Sequence, residues 1–550
     1  MPSSRSTIAT RILHVLVSLG LVFLAGSTAP IVGPLLPTSP VRFDRVVTPA
    51  AARMLPRPVG LLPDSNYPIP DGAVFVSRSG NDAWEGTEQQ PLKTLAAGIN
   101  RVQPNGTIVM RAGNYPEPVP IVRKPVTIQP YPHERVWMKG SDVLTEWTPT
   151  AGDWRADGWV SPFCHTCFNP LAIDPDFPLA GLPEQVFIDG AALRQVDTRW
   201  GVTAGTFFVD PATRNLYIGR DPSGATVEVS ARWRALQLDP EAAGSVIRGI
   251  GISDYSPHWN EDQLGAVIVN AAFVRIEGNA IVRNAGTGLS VVNQPYAVVS
   301  GNVIQSNGYR GMNMYMSHDS VVSRNRFENN NTEGFANSGC DVACTVAGLK
   351  AVQMRDLLVD NNDFTNNRGA GFWCDLGCTD TVITNNIVSN NFGSGIFFEV
   401  SSRGVIAGNF INHNGRDPDS PTSGGVKVSG SEDVAVFDNV FVGNARQIGV
   451  YDDPRSPDEH PYSRNLGLTW DTTRATVSIN TFIPDVDTTV LLTTNATATI
   501  AAPDMFAQTE GNTVVDPESQ RFYWTTAAGV GEGYDSLAAF EQGTGRNFGI

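Results

Sequence analysis

The sequence has little positive charge for its length. Its 550 residues include 39 lysine and arginine residues against 55 aspartate and glutamate residues, which gives a net charge of −16. Because nucleic acids and anionic lipid surfaces attract positive charge, this balance argues against both as partners. It also argues against a polyanionic substrate, unless a metal ion or a local basic patch neutralises that substrate.

Histidine and cysteine, the usual ligands of zinc, are also scarce, with seven and six residues respectively. The cysteines form three close pairs: Cys164 with Cys167, Cys340 with Cys344, and Cys374 with Cys378. Two of these pairs lack the two-residue spacing of zinc-binding pairs, and no spaced histidine pair accompanies them. The pairs therefore predict short-loop disulfides in an exported protein, and no metal site.

Charge is absent from the segment Ile12 to Gly26, which follows two arginines and precedes a run of small residues. This pattern is typical of a secretory signal peptide over residues 1–29, and it predicts bacterial-type export to the cell surface or the medium. Pro30 is a poor residue after a cleavage point, and apolar character continues to Leu36. An uncleaved membrane anchor therefore stays an alternative.

Helical periodicity is absent from most of the chain, and a repeat takes its place. Asn followed closely by an apolar or aromatic residue recurs at spacings of 23 or 24 residues, which three loops lengthen to 30, 37 and 41. These positions are Asn279, Asn302, Asn325, Asn362, Asn386, Asn409, Asn439 and Asn480. A period of this length without helical signals predicts a solenoid of β coils, in which the asparagines form a buried ladder.

Short strands that begin with glycine recur in step with these asparagines. They begin at Gly288, Gly311, Gly348, Gly371, Gly395 and Gly425. The first and third residues after each glycine are apolar and are predicted to face the core. Because the Leu-x-x-Leu-x-Leu run of leucine-rich repeats is absent, the sequence predicts an all-β parallel β-helix.

The repeat also suggests where the domains begin and end. The Pro-rich residues 30–70 are interpreted as a linker, and residues 71–142 as an N-terminal cap with the first coils, including a short helix that covers the open end. Residues 143–234 are Trp-rich and hairpin-like, which predicts an inserted antiparallel β-sandwich. The main β-helix is assigned to residues 235–483, and an irregular C-terminal cap to residues 484–550.

The second and fourth residues after each glycine face away from the core. The second positions hold Ser290, Asn313, Lys350, Trp373, Phe397 and Lys427, and the fourth hold Val292, Tyr315, Val352, Asp375, Glu399 and Ser429. Matched positions on neighbouring strands lie about 4.8 Å apart. Asp375 and Glu399 are thus predicted to be adjacent, close to the roughly 5 to 5.5 Å separation used by retaining glycosidases. Since adjacent like charges repel, the pair favours a function over simple solubility of an outer face.

The neighbours of the two carboxylates suggest a different role for each. Lys350 lies one coil before Asp375 and is predicted to keep it ionised as a nucleophile. Glu399 lies beside Phe397 and an ionised neighbour, which both favour a protonated acid/base. Trp373 offers a flat surface for a sugar ring. Phe397, Tyr315, Asn313 and Lys427 on the same face are further candidates for substrate binding.

The segments Gly371-Phe-Trp-Cys-Asp375 and Gly395-Ile-Phe-Phe-Glu399 resemble the Trp-x-Asp and Phe-x-Glu signatures of exported right-handed parallel β-helix proteins. They are similar in particular to β-helical retaining glycosidases, exemplified by β-xylosidases that carry an inserted β-sandwich. The resemblance implies an Asp nucleophile at Asp375, a Glu acid/base at Glu399 and no cofactor. Asn331-Thr-Glu333-Gly also resembles this group and adds Glu333 as a substrate-binding candidate. The cysteine pairs are not part of that pattern, and the sugar stays open.

Two other functions are compatible with the same face. A polysaccharide lyase or epimerase would use Lys350 as a base, with Ca²⁺ or Arg to neutralise the substrate carboxylate. Asp341, Asp375 and Glu399 would be the Ca²⁺ ligands, whereas Arg310, Arg403 and Arg446 are not at the outward positions. A non-catalytic glycan-binding protein would use the face as a groove. In each case the predicted partner is an oligosaccharide or polysaccharide, and the oligomeric state stays open.

Overall fold

The computed structural model describes residues 64–549, except residues 160, 162, 258–264, 338–344, 487 and 498. The predicted signal peptide, most of the linker, the Cys340–Cys344 pair and Asp341 lie outside the described residues. None of the helices within the described ranges is long and apolar enough to cross a membrane.

Three long sheets of parallel strands wind along the molecule, and each coil contributes one strand to each sheet. Sheet A contains Val74–Val76, Thr107–Met110, Thr127–Pro130, Val246–Arg248, Arg275–Glu277, Val298–Ser300, Val321–Ser323, Leu358–Asp360, Thr379–Thr384, Ser402–Ala407, Ala435–Phe437, Ala475–Ser478 and Phe506–Gln508. Sheet B contains Gly113–Tyr115, Val136–Lys139, Gly251–Ser253, Ala280–Val282, Val303–Gln305, Arg326–Glu328, Asp363–Thr365, Ile387–Ser389, Phe410–Asn412, Val440–Val442, Thr481–Ile483 and Thr513–Val514. Sheet C contains Ile121–Val122, Leu236–Leu238, Val267–Val269, Leu289–Val292, Met312–Tyr315, Ala347–Val352, Ala370–Asp375, Ile396–Glu399, Val426–Ser429, Arg446–Tyr451, Val490–Asn495, Phe522–Ala527 and Val530–Tyr534. The predicted parallel β-helix is confirmed.

The coils enclose one continuous apolar core. The inward residues of the glycine-led strands, such as Leu349, Phe372 and Ile396, are fully buried. The parallel coil also extends past residue 483, the predicted end of its regular part, because Val490–Asn495 and Phe522–Ala527 continue sheet C. The helix Leu537–Thr544 then follows, and its Phe540 is buried in the same core.

Other elements lie at the ends of the coil and between coils. The described helices are Leu95–Arg101, Pro461–Asn465, Ala502–Met505 and Leu537–Thr544, and the short 3₁₀ turns are Pro170–Ala172, Arg199–Gly201, Pro240–Ala242, Pro457–Glu459 and Pro517–Ser519. Residues 141–230 contribute two small, mostly antiparallel sheets. One contains Ala191–Ala192, Val186–Ile188, Val227–Ser230 and Ser141–Val143, and the other Arg194–Gln195, Thr206–Asp210, Asn215–Ile218, Trp154–Ala156 and Thr148–Pro149.

The predicted asparagine ladder is present and fully buried. Each amide oxygen accepts hydrogen bonds from the backbone N–H and the side-chain amide of the asparagine one coil earlier, as Asn386 does from Asn362 at 2.8 and 3.1 Å. A second ladder, which the sequence reading missed, lies five residues further along each coil. It contains Asn284, Asn307, Asn330, Asn367, Asn391, Asn414 and Asn444.

The second ladder explains why each strand of sheet C begins with glycine in this region. A Cβ on Gly371 would lie 2.9 Å from the Asn391 amide nitrogen and 2.6 Å from the Gly395 carbonyl oxygen. Since real Cβ atoms do not approach other atoms so closely, only glycine allows the ladder and the strand to pass each other. The period of the sequence therefore reflects backbone packing as well as core composition.

We expect Asn386→Ala to lower the free energy of unfolding by about 3 kcal/mol. The change leaves the buried Asn362 backbone N–H without a partner and removes the side-chain hydrogen bonds of position 386 to Asn362 and Asn409. Urea denaturation followed by tryptophan fluorescence would measure the change. Asn465→Ala, at an exposed helix end, is the matched control and should leave the unfolding midpoint unchanged. Equal midpoints for the two variants would contradict a stabilising role for the ladder.

Candidate active site

Four neighbouring strands of sheet C build the candidate site. Lys350, Trp373, Phe397 and Lys427 lie opposite one another across these strands and form a column. Cys374 lies opposite Phe398, so Asp375 and Glu399 are the next pair in the same register. The parallel stacking predicted from the repeat places them on adjacent strands.

The column alternates cations with aromatic rings. The Lys350 Nζ lies 3.3 Å from the centroid of the Trp373 ring, and the Trp373 and Phe397 rings stack at 4.9 Å. The Lys427 Nζ lies 4.4 Å from the centroid of Phe397 on the following strand. Both faces of the Trp373 indole are therefore occupied. The use of Trp373 as a flat surface for a sugar ring stays a prediction, which these two contacts do not favour.

Asp375 ends the strand Ala370–Asp375 and is paired with a buried ammonium group. The Lys350 Nζ lies 2.8 Å from Asp375 Oδ2, and both residues are almost fully buried. The chain turns directly after Asp375, and a disulfide between Cys374 and Cys378 closes this turn. The strand register and the disulfide together restrict where the carboxylate can lie.

Glu399 has different partners. Its Oε2 accepts a hydrogen bond from the Trp373 indole N–H at 2.9 Å, and its Oε1 pairs with Arg455 Nη2 at 2.5 Å. Burial and then the negative charge of Asp375 raise the pKa of the Glu399 carboxyl, while Arg455, Lys350 and Lys427 oppose this effect. The two neighbouring carboxyl groups thus have distinct electrostatic environments.

Arg455 is the main residue that the sequence reading missed. It lies in the loop after the strand Arg446–Tyr451, outside the repeat, and folds back over sheet C. The Asp453 carboxylate binds the Arg455 guanidinium: Oδ2 lies 2.6 Å from Nη2, and Oδ1 lies 2.8 Å from Nε. These hydrogen bonds raise the pKa of Arg455. The sequence indicated Arg455 only indirectly, through the long spacing between Asn439 and Asn480. That spacing predicts a loop but does not show which residues the loop contacts.

His460 of the same loop also reaches the site. Its Nε2 lies 3.3 Å from Gln353 Nε2, beside the end of the Lys350 strand. Burial lowers the pKa of His460, and the negative charge of Asp375 opposes that effect. The loop therefore covers Asp375 as well as Glu399.

The face that the sequence predicted to be an outer surface is largely covered. Lys350, Asp375 and Glu399 are 3%, 7% and 8% exposed. Loops between coils enclose these side chains, and this burial strengthens the electrostatic interactions among them. This region is therefore not a solvent-exposed face whose charges only keep the protein soluble.

The remaining predicted residues lie at different distances from the centre. Asn313 lies opposite Lys350, and its Oδ1 accepts a hydrogen bond at 3.1 Å from the buried Arg310. Arg310 precedes Gly311 and is not at an outward position, but its guanidinium reaches the outward Asn313. Tyr315 lies opposite Val352 at the upstream side of the site.

Glu333 is not brought to the two carboxylates. Its backbone N–H donates to the Gly308 carbonyl, before the strand that contains Asn313 begins. Removal from water raises the pKa of the Glu333 carboxyl to about 7. The structure thus places Glu333 near the opposite end of the sheet C strands.

Charges at the centre of the site are balanced. Lys350, Lys427 and Arg455 face Asp375, Glu399 and Asp453. The repeat supplies two charges of each sign, and the loop adds Arg455 together with Asp453. In the described part of the chain, no group of three or more His, Cys, Asp or Glu side chains is arranged to hold a metal ion.

Comparisons with known proteins agree with this architecture. A family model described as "Right handed beta helix region" matches residues 241–347 and 264–445, and one described as a protein of unknown function (DUF1565) matches residues 78–127. The uncharacterized protein YwoF of Bacillus subtilis (strain 168) is 32% identical over 75 residues, which is 13% of this chain and 16% of that protein. The match thus spans a small part of that relative.

Solved structures that are similar to this chain have low sequence identity to it, and that of XylC shows the same fold. The complex of XylC with xylose has a TM-score of 0.58 and 14% identity, and the alignment covers 81% of this chain and 87% of that one. A GH136 lacto-N-biosidase from Eubacterium ramulus has a TM-score of 0.45, 13% identity and coverages of 80% and 67%. The AlgE4 A-module, a mannuronan C-5 epimerase of Azotobacter vinelandii, has a TM-score of 0.41, 14% identity and coverages of 74% and 87%. The right-handed parallel β-helix is confirmed, and at these identities the likeness concerns the fold alone.

Proposed function

We propose that this right-handed parallel β-helix protein is a carbohydrate-active enzyme, and that it is a retaining glycoside hydrolase with Asp375 as nucleophile and Glu399 as acid/base. The observation that carries the proposal is the pair of buried carboxyl groups on adjacent strands with unlike partners. An ammonium group stabilises the charged form of Asp375, whereas burial and the Asp375 charge raise the pKa of Glu399. A retaining mechanism needs one ionised and one protonated carboxyl group.

The first step breaks the glycosidic bond. Asp375 forms a bond to the anomeric carbon of the sugar while the leaving oxygen departs and takes the proton from Glu399. In the second step Glu399 removes a proton from water, the water oxygen bonds to the anomeric carbon, and Asp375 is released. The anomeric configuration is retained because it is inverted twice.

Trp373 has a positioning role in this proposal. Its indole N–H binds one oxygen of Glu399, and its ring is fixed between Lys350 and Phe397. This contact leaves the other Glu399 oxygen to Arg455 or to the leaving group of a substrate. Arg455 must then move away from Glu399, or share it, when the proton is transferred.

The experiment that tests the proposal is a panel of aryl glycosides with chromophore release as the readout. Proton NMR of the first product formed would identify its anomer. We expect hydrolysis of at least one glycoside and a first product with the configuration of the substrate. An inverted first product would exclude Asp375 as a nucleophile.

For Lys350→Ala, we expect kcat/KM for the best aryl glycoside to fall by about tenfold. The physical reason is the loss of the buried ammonium group that lies 2.8 Å from Asp375 Oδ2. Lys93→Ala, at an exposed position, is the control. A kcat/KM equal to that of the unchanged protein would show that Lys350 does not support the nucleophile.

Arg455→Gln should move the basic limb to higher pH by about one to two units. The guanidinium stabilises the charged form of Glu399, so its loss raises the pKa of Glu399 further, and the acid stays protonated to a higher pH. Arg464→Gln changes an exposed arginine of the same segment, whose Nη1 donates to the Asp458 carbonyl, and should leave the limb in place. A basic limb that moves to lower pH would contradict this role of Arg455.

A polysaccharide lyase or epimerase is the second candidate, and two observations favour it. Three cations lie at the centre of the site, and burial lowers the pKa of Lys427, which helps a lysine to act as a base. Lys350 suits this role poorly, because its ammonium group is held by Asp375 and covers Trp373. A lyase leaves a double bond in the product, so growth of ultraviolet absorbance with uronate polymers would favour it over hydrolysis.

We propose that the protein acts outside the cytoplasm on a glycan. Two disulfides, Cys164–Cys167 and Cys374–Cys378, are present in the described residues, and such bonds persist in oxidising compartments. A non-catalytic glycan-binding protein would tolerate Glu399→Gln with little loss of binding and would show no turnover. Measuring binding and turnover side by side separates these functions.

A further inference from the structure

A cavity of about 420 Å³ lies beside the downstream end of the candidate site. It is lined by the loop that follows Asn414 and by the start of the strand Arg446–Tyr451, and its lining includes Arg416, Asp417, Pro418, Pro421, Arg446 and Thr489. Cavities of this size hold small ligands in other proteins. Nothing in the proposed mechanism uses this one.

The cavity carries a positive charge that the protein does not neutralise by pairing. The Arg446 side chain is half-buried, and its guanidinium makes no hydrogen bond or ion pair within the described part of the chain. The lining contains one carboxylate, Asp417, which forms no ion pair with Arg446; its contacts include hydrogen bonds from the Asn337 amide to Oδ2 at 2.6 Å and from the Asp419 N–H to Oδ1 at 3.0 Å.

The loop that lines the cavity also contacts the column of the candidate site. Thr422, in the same loop as Pro418 and Pro421, accepts a hydrogen bond from the Lys427 ammonium at 2.9 Å. Tyr451 lies at the end of the strand that begins with Arg446. Burial raises the pKa of Tyr451, and the positive charge of Arg446 opposes this effect. The Lys427 Nζ lies 5.8 Å from the centroid of the Tyr451 ring. The Tyr451 hydroxyl is therefore within electrostatic reach of Arg446, and its ring lies near Lys427.

The distance suits a ligand longer than one sugar. Glu399 aligns with Tyr451 across two strand spacings, and Arg446 lies five residues before Tyr451. With about 4.8 Å between neighbouring strands and a rise of about 3.3 Å per residue, the backbone of Arg446 lies about 20 Å from that of Glu399. A group bound there belongs to a sugar several units away from the bond that reacts.

We infer that the Arg446 cavity is a distal subsite for an anionic group, a carboxylate or a sulfate ester, carried by an oligosaccharide substrate. The planar guanidinium can donate two parallel hydrogen bonds to either group. This inference rests on the proposed function only in taking the ligand to be a carbohydrate. The Arg446 guanidinium would also supply the local positive charge that an acidic glycan needs in a protein of net charge −16.

Isothermal titration calorimetry with three probes of equal length tests the inference: an oligogalacturonate, a sulfated galactan oligosaccharide and a neutral xylo-oligosaccharide. We expect the full-length protein to bind at least one anionic probe about tenfold more tightly than the neutral probe at low salt. Which anionic probe binds identifies the group. Arg446→Gln should abolish the preference, and Arg446→Lys, which keeps the charge but not the planar fork, should restore part of it.

Arg403→Gln is the matched control, because Arg403 lies in sheet A and is paired with Asp380. It should keep the preference of the unchanged protein. The inference is overturned if neither anionic probe binds more tightly than the neutral one, or if the preference persists in Arg446→Gln. Binding is read at equilibrium, so this outcome is independent of whether the aryl glycosides are hydrolysed.

Discussion

Asp375→Asn is expected to lower kcat/KM for the best aryl glycoside by a factor on the order of 10⁴. The amide has the shape of the carboxylate but cannot form a bond to the anomeric carbon that is readily hydrolysed. Because Asn is nearly isosteric, the neighbouring Lys350 and the turn after position 375 should stay in place. Initial rates of chromophore release measure the loss, and circular dichroism checks that the β-helix is intact.

Asp380→Asn is the matched control for this loss. Asp380 lies five residues further along the chain, in sheet A, and is paired with Arg403 on the surface at 2.8 Å. Its backbone has φ of 54°, which Asn tolerates well. We expect its activity to stay within about twofold of the unchanged protein. A fully active Asp375→Asn variant would remove Asp375 from the mechanism.

Glu399→Ala should slow substrates with poor leaving groups by about 10³-fold and activated aryl glycosides much less. Poor leaving groups need the proton of Glu399 as the bond breaks, whereas activated phenolates depart without it. Glu432→Ala, which changes a half-buried glutamate paired with Arg474 in the coil after Glu399, is the control and should affect neither class.

External azide provides a second readout for the same variant. Without Glu399, water lacks a general base in the second step, and azide needs none. Turnover of activated substrates should therefore recover with azide and yield a glycosyl azide of retained configuration. If Glu399→Ala slows both classes of substrate equally and no glycosyl azide forms, Glu399 is not the acid/base, and the lyase and glycan-binding alternatives gain support.

The balance between these alternatives depends on residues outside the repeat. From the repeat alone, the cluster contained two carboxylates and two lysines. Arg455 reaches the site through a loop and is paired there with Glu399 and Asp453, and Arg310 is buried against Asn313. A lyase stays the second candidate, and both functions place Asp375 and Glu399 at the centre.

Trp373 shows that the sequence can predict the position of a residue without predicting its contacts. The sequence placed it beside Phe397, and the register confirms this placement. The pattern of residues does not say which surfaces of a ring stay open, because this depends on the rotamers of the neighbours. With Lys350 over one face and Phe397 over the other, the indole N–H becomes the useful group.

The sequence by itself determined the coil, the asparagine ladder and the adjacency of Asp375 and Glu399. It could do so because each coil repeats the same backbone path, so residues one period apart lie on neighbouring strands. Only the tertiary structure decided the burial of the face, the pairing of Glu399 with Arg455 and the cavity at Arg446. These features come from loops that differ between coils, and their paths depend on contacts that no local periodicity encodes.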